Sequence, residues 1–87
     1  MNPKLLPIRY HLEIYEESFV NDPTISFEGD SPFMAFAKGD YVDASSWPTE
    51  YRNWFKIADI AHHIWQIDGS HIGQQTRICI VRSERPE

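Results

Sequence analysis

Residues 54–82, WFKIADIAHHIWQIDGSHIGQQTRICIVR, constrain the fold more than any other part of the chain. Two long apolar runs flank Asp68-Gly69-Ser70. Asp-Gly between such runs signals a hairpin, because a type I′ turn needs residues that tolerate positive φ. The second run, residues 76–81, is strand-like throughout. Helix is the rival reading of the first run. Trp54, Ile57, Ala58, Ala61, Ile64 and Trp65 share one face at helical spacing, and Ser46 or Thr49 ahead of Glu50 can cap a helix start. That alternative is an α+β fold with a helix at about 50–66. Isoleucine and aromatic residues outnumber straight-chain helix formers here, which moves the reading to strand. Such a strand must change parity, since Phe55 and Ile57 have one phase and Ile60, His62 and Ile64 the other. A β-bulge at Ala58-Asp59 brings both sets to one face, and bent, bulged strands are what small barrels are made of.

The rest of the chain is placed against this hairpin. Pro3 and Pro7 lack the backbone donor of a strand ladder, so residues 1–6 are a loose lead-in. From Ile8 onward, Ile8, Tyr10, Leu12 and Ile14 alternate with Arg9, His11, Glu13 and Tyr15, the pattern of a strand with one buried face. Asn21-Asp22-Pro23 reads as a turn, Ile25 and Phe27 as a short second strand, and residues 28–32 as another turn cluster. Lys38-Gly39-Asp40 allows a positive-φ corner before an extended Tyr41-Val42. Residues 43–53 form a polar loop carrying Trp47 and Tyr51, with Trp54 at its end. Pro48 keeps Trp47 extended. The tail, residues 83–87, frays.

The 87 residues support one domain, 1–87, with a thin stability margin that an aromatic content of 14% partly offsets. A lone cysteine cannot form an internal disulfide, and no signal peptide or apolar span is present, so the expectation is a soluble cytoplasmic protein without membrane association. Residues 1–50 hold nine acids and three bases, a net of −6, whereas residues 51–87 hold four acids and five bases, a net of +1. The acidic front half argues against non-specific nucleic-acid binding, which relies on Lys and Arg to neutralise phosphates.

The order of features is an alternating first strand, an apolar segment running into Gly39-Asp40, Trp47 in a loop, then Phe55-Lys56-Ile57 with Ile60, His62 and Ile64. In outline it resembles small uncharacterised bacterial all-β proteins with compact SH3-like barrels. The resemblance spans most of the chain, implies an all-β fold and brings no catalytic residues with it.

Candidate chemistry is sparse. His62 and His63 are neighbours on a strand and point to opposite faces, so they cannot readily share an ion, and H-x-H and H-x-x-x-H spacings are absent. The expected roles are a half-buried His62 bonded to backbone, with His63 and His71 at the surface. Cys79 between Ile78 and Ile80 reads as a buried structural thiol. Glu13, Glu16, Glu17, Glu28, Asp30, Asp40 and Asp43 could supply acid and base, but no sequence feature places a pair in a cleft. Phosphate-cradling, nucleophile-elbow and zinc-helix motifs are missing.

Trp47, Tyr51, Arg52 and Trp54 are the most suggestive group. Aromatics with arginine dominate binding hot spots, and loops carry function more often than scaffolds do. The same rings could instead plug the end of a barrel.

The sequence thus predicts an all-β domain of about five antiparallel strands, a small barrel or half-open sheet. Its expected core is Ile8, Tyr10, Leu12, Ile14, Phe36, Val42, Phe55, Ile57, Ile60, Ile64, Ile78 and Ile80. The predicted function is a non-catalytic binding or interaction module without metal or cofactor, using Trp47, Tyr51, Arg52 and Trp54. A second copy pairing at a strand edge is the simplest partner. One alternative is a single-strand nucleic-acid-binding barrel, which requires Arg52, Lys56, Arg77 and Arg82 to gather on one face. The other is a metal-dependent enzyme using the histidines.

Overall fold

In the computed structural model, residues 6–44 and 54–84 are described. They form five strands: β1 (Ile8–Glu16), β2 (Ile25–Gly29), β3 (Tyr41–Asp43), β4 (Trp54–Ile67) and β5 (His71–Arg82). The strands build a single sheet in the order β2-β1-β5-β4-β3, curled into a half-barrel. The all-β expectation holds, and residues 54–67 are strand, not helix. One correction concerns direction. β1 and β5 run parallel, pairing Ile8 with Ile72 through to Glu16 with Ile80, so the sheet is mixed where an antiparallel one was expected.

β4 and β5 form the longest hairpin, and the expected bulge lies where the parity changes: Ile57 faces Ile80, Asp59 faces Cys79, and Ala58 is the extra residue. Phe55, Ile57, Ile60, His62 and Ile64 therefore share the inner face. The turn differs from the I′ expectation. Ser70 N–H donates to the Ile67 carbonyl at 3.0 Å, and of the two residues between them only Gly69 has positive φ, 73°, as in a type II turn.

The core occupies the half of the hairpin farthest from this turn. Leu12, Ile14, Ala44, Phe55, Ile57, Ile78 and Ile80 are buried on the inner face, with Ile25, Phe33, Phe36, Val42 and Ile60 packed around them. Ile64, expected in the core, is 68% exposed, because β4 runs on past the elements that would cover it. Ile8 and Tyr10, beside the same distal half, are only half-buried. Tyr15 and Cys79 are buried on the opposite, outer face, where they sit side by side across β1 and β5. Phe19, in the loop after β1, turns back to meet the Tyr15 ring edge-on at 5.3 Å.

Candidate functional site: an apolar cleft under a crossing strap

The strand order dictates the site. β2 and β3 follow one another in sequence yet lie at opposite edges, so residues 30–40 must cross the sheet. Four strand spacings amount to about 19 Å, well within the roughly 36 Å that eleven extended residues reach. The strap crosses the inner face and sets Phe33 and Phe36 against the core. Its far end is fixed at Gly39, whose φ of 89° lets the chain corner as the sequence suggested. Gly39 N–H donates to the Ile57 carbonyl at 2.8 Å, and Ile57 N–H donates to the Asp40 carbonyl at 2.9 Å. The Asp40 carboxylate accepts the Ala37 N–H at 2.9 Å and closes the corner.

Between strap and sheet lies a cleft of about 570 Å³. Leu12, Ile14, Ile57 and Ile78 form its floor, and Phe27, Phe33, Met34, Phe36 and Val42 line its sides. The Phe27 and Phe33 rings meet at 6.5 Å between centroids. Met34 is 77% exposed and Phe27 40%, so carbon-rich groups stand in water around the opening. Ligand sites are typically concave, largely apolar and of roughly 300–1,000 Å³, and the cleft falls within that class.

Of the four residues expected to bind, Trp47, Tyr51 and Arg52 lie outside the described residues. Trp54 is the first residue of β4, half-buried opposite Asp43, and its carbonyl accepts Ser83 N–H at 3.1 Å. The cations of the hairpin are not drawn into one patch. Lys56 sits over the Tyr41 ring at 4.9 Å, Arg77 lies 3.5 Å from Glu13, and Arg82 shares the inner-face phase of Phe55 at the end of β5. The histidines also separate. His62 and His63 fall on opposite faces, but His62 is exposed rather than half-buried, with Nδ1 3.5 Å from the Thr76 hydroxyl. His71 is half-buried, with Nδ1 2.9 Å from the Ser70 hydroxyl. Among the described residues no three His, Cys, Asp or Glu side chains converge as a metal site would require.

The outer face carries a polar network instead. Glu13 Oε1 accepts from the Tyr15 hydroxyl and from Gln75 Nε2, while Arg77 Nε donates to Gln75 Oε1 at 2.9 Å. Burial, then the hydrogen bond to Glu13, hold the Tyr15 phenol above its ordinary pKa. Burial also raises the Cys79 thiol, helped by the Asp59 and Glu17 carboxylates, so this cysteine is kept protonated and inert. Asp59 is held below the usual carboxylate range by the Ile60 N–H and by Lys38, whose Nζ lies 3.3 Å away. Farther along, the Trp65 indole lies across Gly73, flanked by His11 and His63 with ring centroids 5.2 Å away on each side.

Sequence reasoning found Leu12, Ile14, Ile57, Ile78, Phe36 and Val42 but read them as core alone. It missed the exposed roles of Phe27 and Met34, whose only sequence signal is that a turn cluster with Pro32 is followed at once by apolar residues. No known protein family, curated protein or solved structure matches the chain.

Proposed function

We propose that this protein is a non-catalytic cytoplasmic binding module whose site is the inner-face cleft, and that it takes up a compact apolar group. One observation carries the reading: a concave, mostly apolar cleft left open beneath the strap, with Asp40 and Asp43 at its β3 end and Met34 and Phe27 exposed at its opening. A chain this small gains stability by closing such a surface, and an unfilled apolar cleft forfeits the burial it could have had, worth about 25 cal/mol for each Å². Binding a hydrocarbon group removes that surface from water. The floor residues are fixed by strands and the strap is tied to β4 at its Gly39-Asp40 end, which limits the ordering cost of binding. The single cysteine, buried and protonated, is consistent with a reducing compartment.

The test is a titration with N-phenylnaphthylamine, a neutral apolar fluorophore. Saturable one-to-one enhancement is expected from wild type, with binding weakened about tenfold or more in Met34→Glu, which places a carboxylate at the opening. Because Met34 is exposed, far-UV circular dichroism should not change. Absence of saturable binding, or an unaffected Met34→Glu, would remove the cleft as the site.

A further inference from the structure

β4 has 14 residues, but β3 pairs with only the first three of them on its outer side. Gly39 and Asp40 extend the ladder to Ile57. From Asp59 onward no described strand pairs with that edge: at its start the Asp59 carboxylate accepts the Ile60 N–H at 3.0 Å and pairs with Lys38, and past Ile60 the side chains of Ile64 and Ile67 are exposed at 68% and 47%. Residues 60–67, Ile-Ala-His-His-Ile-Trp-Gln-Ile, contain no Lys, Arg, Asp, Glu, Pro or Gly. Edge strands that stay unpaired are normally blunted by shortness, charge, proline or a bulge. The other edges follow that rule: β2 has five residues with Glu28 among them, and β3 has three. The free part of β4 has one such device, Asp59 at its start, paired with Lys38; residues 60–67 have none, since the bulge lies before them at Ala58.

We infer that the free edge of β4 pairs with the same edge of a second copy of this chain, antiparallel, about a two-fold axis through His63. Such an axis, perpendicular to the sheet, must set residues of equal parity opposite each other, so it passes through a residue and not between two. His63 is the midpoint of the free segment 59–67. Pairing about it places Ile60 by Gln66 and His62 by Ile64 on the inner face, and Ala61 by Trp65 and Asp59 by Ile67 on the outer face. The bulky indole thus meets a methyl group, and exposed Ile64 gains a partner. Neither carboxylate meets its own kind, because each Asp59 lies opposite an isoleucine. Apart from the Ile60 N–H, which the Asp59 carboxylate accepts, the outward N–H and C=O groups that no described residue pairs in one protomer find partners across the axis. Two five-stranded sheets become one, and an isologous contact of this kind closes at two copies. The inference is independent of what the cleft holds.

Sedimentation equilibrium of wild type and His63→Lys tests it. Wild type should be dimeric. In His63→Lys two ammonium groups meet at the axis, and the dimer should weaken by about a hundredfold with an unchanged circular dichroism spectrum. His63→Cys should form an intermolecular disulfide on mild oxidation, whereas Phe27→Cys on β2 should not. A monomeric wild type, a His63→Lys protein that dimerises as tightly as wild type, or a His63→Cys protein that fails to cross-link would each overturn the inference. Should His63→Lys fail to fold, hydrogen exchange on wild type decides. Protection of amides 60–67 that rises with protein concentration supports edge pairing, and protection independent of concentration refutes it.

Discussion

Gly73 has no left-handed backbone to excuse it; it is glycine because Trp65 lies on it. A Cβ placed there would meet the indole at 2.0 Å, and relief requires the ring to leave the space between His11 and His63. Gly73→Ala should therefore cost about 1–3 kcal/mol in chemical denaturation and shift the Trp65 indole N–H resonance. An Ala substitution that leaves both unchanged would show that the indole is not held there. The Tyr15 phenol carries a pH prediction. Its pKa is raised in the folded protein, so the neutral form is the one the fold favours; its contribution is complete below the unfolded value of 10.0 and is lost as pH rises through the higher folded value. Melting temperature should fall in that alkaline range, and Tyr15→Phe should flatten the fall. The burial of Cys79 was legible from its isoleucine neighbours. That of Tyr15 was not, because its alternation phase marks a solvent face and the return of Phe19 onto its ring is not written in that period.

At the level of elements, the hairpin, its bulge and the alternating first strand were legible because each rests on local period. The bulge in particular follows from two apolar phases that one face must accommodate. The parallel pairing of β1 with β5 was not legible, since it joins strands about sixty positions apart and nothing in either period states a direction. The limit of the core along β4 was hidden for the same reason: Ile64 continues the phase of Ile60 but lies beyond the packed elements. These two isoleucine environments separate in a direct comparison. Ile78→Ala, at a fully buried position, should cost about 2–5 kcal/mol, whereas Ile64→Ala should stay within about 0.5 kcal/mol in dilute solution. Equal costs would mean that the core reaches the distal hairpin.

Over the whole molecule, extents of 56 × 26 × 21 Å and a radius of gyration of 15.4 Å, against about 12 Å for a compact chain of this length, reflect a hairpin longer than its core. One end of the sheet is packed and bears the cleft; the other is thin and bears the edge of β4 that no described strand pairs. The cleft depends on the strand order that sends residues 30–40 across the inner face, so no local pattern could reveal it. The aromatic loop that the sequence favoured contributes only Trp54 to the described structure, and the proposed binding rests on Phe27, Phe33, Met34 and Val42. The most direct measurement is therefore isotope-filtered NMR of the protein with bound N-phenylnaphthylamine. Intermolecular Overhauser contacts to Phe27, Phe33, Met34 and Val42 are predicted, and contacts confined to Ile64, Trp65 and Ile67 on the distal hairpin would contradict the assignment of the cleft as the binding site.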